Sequence, residues 1–61
     1  MNEYMVTTSS GDYFTITTTL SLEKYLDFIA KNTKADRFFI YENRAIRYSH
    51  IESVYKINKE N

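Results

Sequence analysis

The stretch Tyr13-Phe14-Thr15-Ile16-Thr17-Thr18-Thr19-Leu20-Ser21-Leu22-Glu23-Lys24-Tyr25-Leu26-Asp27-Phe28-Ile29 changes its hydrophobic period half-way along. Up to Thr18 the β-branched and aromatic residues alternate with a period of two, as a pleated strand requires. From Leu22 the apolar residues recur as Leu22, Tyr25, Leu26 and Ile29, the i, i+3, i+4, i+7 stripe of an amphipathic helix. Ser21 stands between them as a natural N-cap, its hydroxyl placed to accept from a first-turn N–H. Leu20 precedes it at staple spacing from Tyr25. Phe28 lies at the edge of the stripe. Glu23, Lys24, Asp27, Lys31 and Lys34 fill the opposite face, and Asn32 or Thr33 is the expected end.

Upstream, Tyr4–Thr8 and Tyr13–Thr18 read as a hairpin. A three-residue loop, Ser9-Ser10-Gly11, puts the only glycine at the left-handed position of a type I turn with a bulge. That register pairs Tyr4 with Ile16 and Val6 with Phe14 on one face. Met5, Thr7, Tyr13 and Thr15 then share the other. A two-residue loop mixes the faces, so the apolar pattern selects the longer one.

Downstream, Arg37–Tyr41 and Ala45–Tyr48 flank Glu42-Asn43-Arg44 and read as a second hairpin. A three-residue loop pairs Ile40 with Ile46 and Phe38 with Tyr48. It sets Phe39, Tyr41, Ala45 and Arg47 on the other face. Ser49-His50-Ile51-Glu52 has capping-box spacing, so one helical turn is expected there, followed by a strand over 53–58. A C-terminal helix is the alternative. The expected fold is a single α+β domain spanning 1–61. Its order is β-β-α-β-β-β, an antiparallel sheet with one helix on one face.

Composition narrows the function classes. A chain of 61 residues has room for one domain and buries only about 60% of its unfolded surface. With no cysteine and one histidine, neither a disulfide nor a structural zinc site is expected to help. Self-association is the remaining aid. Eight basic residues balance eight acidic ones, which argues against a general nucleic-acid binder. No apolar run is long enough to span a membrane. Met1–Tyr4 lacks the features of a signal peptide, so a cytoplasmic location is expected. The absence of proline and tryptophan, with abundant Thr, Tyr, Ile, Asn and Lys, suits a low-G+C bacterium or its phage.

No motif names a chemistry. His50 lies near Ser49 and Ser53, but no nucleophile context surrounds it. Glu23 and Asp27 fall on the solvated helix face, and Glu42 and Glu52 form the other carboxylate pair. No cofactor, metal or catalytic residue is expected. The informative feature is the sheet face away from the helix, expected to carry Met5, Tyr13, Phe39, Tyr41 and Arg47, with Arg44 of the adjoining loop completing the candidate binding residues. Such residues are enriched at protein interfaces, and a cluster of them marks an interaction site. The expectation is therefore a non-enzymatic binding protein that contacts a protein partner or itself. Its concrete form is a phage- or mobile-element-encoded inhibitor of a bacterial host protein or defence system. The alternative is a nucleic-acid or nucleotide-binding module that stacks bases on sheet aromatics beside Arg37, Arg44 and Arg47.

Overall fold

Five strands and one helix follow each other in the order β-β-α-β-β-β in the computed structural model, which describes residues 1–57. Residue 58, the expected end of the last strand, lies outside the described residues. Strand β1 spans Asn2–Thr8 and β2 spans Tyr13–Thr18. They pair antiparallel with Tyr4 opposite Ile16 and Val6 opposite Phe14, the expected register. The turn carries the bonds of a three-residue loop. The Thr8 amide donates to the Asp12 carbonyl at 2.9 Å and the Gly11 amide to the Thr8 carbonyl at 3.0 Å. Gly11 has φ +93°, a conformation that costs an L-residue with a Cβ.

Helix α1 spans Leu22–Lys34. The Ser21 hydroxyl accepts from the Lys24 amide at 3.3 Å, which is the expected cap. The helix runs slightly past the expected end and closes in a Schellman motif. There the Asp36 amide donates to the Thr33 carbonyl and the Arg37 amide to the Asn32 carbonyl, each at 3.0 Å. Asp36 occupies the left-handed position, φ +56°, where glycine is usual.

After the helix come β3, Phe38–Tyr41, and β4, Arg44–Arg47. A 3₁₀ turn over Tyr48–His50 then leads into β5, Ile51–Lys56. A short turn followed by a final strand is as expected, but the turn lies over Tyr48–His50 rather than 49–52, no side chain caps it, and Ile51 and Glu52 already belong to β5. The strands divide into two sheets, a three-stranded one in the order β2-β1-β5 and the separate hairpin β3-β4. Strand β5 reaches back to pair antiparallel with β1, Val54 opposite Val6, with a register irregularity at Thr7/Thr8.

The second hairpin corrects the sequence-based register. Its loop has two residues, Glu42 and Asn43, and the pairs are Phe38–Arg47, Phe39–Ile46, Ile40–Ala45 and Tyr41–Arg44. A shift of one residue turns a strand over, so Phe39 and Tyr41 face inward, while Phe38 and Ile40 face out. The inward rings meet partners. Phe14 lies 4.6 Å from Tyr41 and 5.5 Å from Phe39, centroid to centroid, and Phe39 lies 4.8 Å from Tyr48. These contacts bury large aromatic area, which the expected register leaves in solvent.

The core is Tyr4, Val6, Phe14, Tyr25 and Ile29. It is enclosed by the inner face of the three-stranded sheet, by α1 and by the β3-β4 hairpin. Tyr25 stacks on Tyr4 at 5.4 Å and 7°. The Tyr4 hydroxyl donates to the Leu20 carbonyl at 2.8 Å, so its polar tip is satisfied where the ring is buried. No helix of the described residues is long and apolar enough to cross a membrane.

Candidate functional site

The six candidate binding residues fall into three places. Met5 and Tyr13 do lie on the outer face of the three-stranded sheet. Thr7, Thr15 and Tyr55 accompany them there. Tyr13 is 70% exposed, while Met5 is half-buried. Phe39 and Tyr41 instead pack against the core. Arg44 and Arg47 each meet a carboxylate. The Arg44 guanidinium is 3.2 Å from the Asp12 carboxylate. Arg47 donates to Asp36 and lies 4.4 Å over the Phe38 ring. Asp36 thus joins the end of α1 to β4.

A cleft of mixed character, about 180 Å³, opens where the first loop meets the second hairpin, with Asp12, Arg44, Arg47 and His50 on its walls beside Phe38 and Ile46. His50 is exposed, and its carbonyl accepts from the Ser9 amide at 2.8 Å. That backbone contact ties the 3₁₀ turn to the first loop. Among the described residues no group of three or more His, Asp and Glu is placed to hold a metal. Both guanidiniums of the cleft already have a carboxylate partner, Arg44 in Asp12 and Arg47 in Asp36.

The larger concavity is an apolar groove of about 420 Å³ between β2, α1 and β3. Ile16, Thr17, Leu20, Phe28, Ile40 and Tyr48 are among its walls. Phe28 is 43% and Ile40 72% exposed. The Phe28 ring is fixed edge-on to Tyr48 at 5.9 Å, so this wall is pre-formed. Two tyrosines near the groove resist ionisation. Burial pushes the Tyr25 hydroxyl pKa up, and the neighbouring Tyr48 raises it further. Burial also raises Tyr48, with Arg37 pulling partly the other way.

One border of the groove is the outer edge of β2. The sheet order leaves this edge without a neighbouring strand. The hydrogen-bond phase identifies its free groups. Thr8 bonds Asp12, so the alternating residues Phe14, Ile16 and Thr18 point their amides and carbonyls at β1. Tyr13, Thr15 and Thr17 point theirs outward. No charged residue, proline or bulge protects this edge, although natural sheets normally guard their edges with such devices. Strand β5, the other edge, carries Glu52, Lys56 and the irregularity beside Thr7. The sequence signal for the unguarded edge is the uncharged run 13–22, whose threonines also suit an ordinary solvated strand. The exposure of Ile40 carries no such signal, since Phe38, Phe39, Ile40 and Tyr41 are all apolar.

No family model matches this chain, and neither a curated protein nor a solved structure does so.

Proposed function

We propose that this chain is a non-enzymatic binding protein that engages a protein partner by strand addition at the outer edge of β2. The partner's backbone pairs with the outward amides and carbonyls of Tyr13, Thr15 and Thr17. Its alternate side chains enter the groove beside Phe28 and Ile40. In this mode main-chain bonds supply affinity, and the pockets supply specificity. The observation that carries the reading is the coincidence of an unguarded strand edge with a pre-formed apolar groove along it. A stoichiometric inhibitor or adaptor in the bacterial cytoplasm, encoded by a phage or mobile element, is the form that small size and composition favour. The nucleic-acid reading has less support. The rings of Phe39 and Tyr41 are turned inward, and Arg44 and Arg47 are held by Asp12 and Asp36.

Two variants test this reading in a bacterial lysate. Thr15→Pro removes an outward N–H that β1 does not use, a place where an edge strand tolerates proline. Ile40→Asp puts a charge into the groove from a side chain outside the core. Both variants are expected to stay folded by circular dichroism and to lose the proteins retained by the wild type. Retention of the same proteins by both variants would show that binding runs elsewhere.

A further inference from the structure

We infer that the strand added to β2 is β2 of a second copy of this chain, in an antiparallel pair about a two-fold axis at Thr15. The inference rests on the strand-addition reading and names its partner. Only registers that match outward residues with outward residues can form, because inward-pointing amides are already bound to β1. Among these, the register that sets Thr15 opposite Thr15 of the second copy engages nearly the whole six-residue strand. It sets Tyr13 opposite Thr17 on the outer face and Phe14 opposite Ile16 on the inner face. Tyr13, 70% exposed, thereby meets the β-branched Thr17 in a favourable cross-strand pair, while Phe14 stays packed on its own Phe39 and Tyr41. No like charges face each other, because β2 contains none. The result is a continuous six-stranded sheet in the order β5-β1-β2-β2-β1-β5, closed by two-fold symmetry with no unguarded edge left. Self-pairing through β5, the other edge of this sheet, has to overcome the register irregularity beside it and the helix that packs against that strand.

Sedimentation of the wild-type chain is expected to give twice the 7.3 kDa of one chain. Thr15→Lys and Thr15→Glu each place like charges on the axis and should sediment as folded monomers. An equimolar mixture of the two should recover the dimer, which only a Thr15-to-Thr15 register predicts. Glu52→Lys should leave the dimer intact. In hydrogen exchange the amides of Tyr13, Thr15 and Thr17 should be protected at high concentration and lose protection on dilution. Those of Phe14 and Ile16 should stay protected throughout.

If the lysine variant fails to fold, the wild-type exchange pattern decides alone. A wild-type monomer at millimolar concentration with freely exchanging Thr15 overturns the second copy as partner. So does a dimer that Glu52→Lys dissociates and the Thr15 variants do not. The strand-addition reading survives that result if a partner whose retention Thr15→Pro abolishes still protects the Thr15 amide. It fails as well if no such partner does.

Discussion

Asp36 holds a left-handed backbone, φ +56°, that costs L-residues other than Gly, Asn and Asp about 1–2 kcal/mol. Glycine at the C-terminal position of the Schellman motif avoids that cost, but it offers no side chain. The aspartate instead supplies the carboxylate that receives Arg47. This pair is exposed on the Asp36 side, 72% by side chain, so its own contribution is about 0–1 kcal/mol. Two variants separate the effects. Asp36→Gly and Asp36→Ala both lose the ion pair, and they differ in tolerance of positive φ. Glycine should therefore be the more stable of the two by about 1 kcal/mol in denaturant titration. Equal stabilities would show that residue 36 is not left-handed. The first hairpin offered a glycine to mark its left-handed residue, so its loop could be read from sequence. Asp36 and Glu42, each at φ +56°, do the same work without one, so sequence marks their turns less clearly.

Among the elements, the β3-β4 hairpin is where sequence and structure part. Helix α1 was legible because its apolar spacing fits one period and its cap is chemically specific. Hairpin β1-β2 was legible because only one register separates its apolar from its polar residues. Phe38-Phe39-Ile40-Tyr41 has no polar member, so alternation selects no face. Packing decides, through the ring of Phe14, distant in the chain, and that of Tyr48 just beyond the hairpin. The consequence is measurable. Phe39→Ala should cost on the order of 2 kcal/mol or more, because a half-buried ring leaves a cavity. Ile40→Ala should cost no more than about 0.5 kcal/mol, as exposed positions do. The opposite order would restore the register of the three-residue loop Glu42-Asn43-Arg44. The residues expected on one exposed sheet face are divided for the same reason. Met5 and Tyr13 were placed correctly because their hairpin was, while Phe39 and Tyr41 followed the wrong register into solvent.

At the scale of the whole molecule, helix, 3₁₀ turn and hairpin meet at Tyr25, Phe28 and Tyr48. Burial raises the pKa of both tyrosine hydroxyls above the ordinary value. A tyrosine whose folded-state pKa is raised favours folding in its neutral form. That stability is complete below the unfolded value of about 10 and is lost as pH rises through the folded one. The melting temperature should therefore fall above about pH 10. Tyr25→Phe should make that alkaline limb shallower, since its ring keeps the stack on Tyr4 without an ionisable group. An unchanged alkaline limb in Tyr25→Phe would place the pH-sensitive group elsewhere.

Strand β1 lies at the centre of its sheet, yet its two neighbours come from opposite ends of the described chain. Its partner β2 follows across a three-residue turn, whereas Tyr4 meets Lys56 only after the helix and the second hairpin have been spanned. Pairings of such different separation form on different timescales, because closing the longer loop costs more chain entropy before any contact rewards it. Folding should thus begin with the first hairpin and α1, held by the Tyr4–Tyr25 stack, and finish when β5 docks. Until it does, β1 exposes a second open edge.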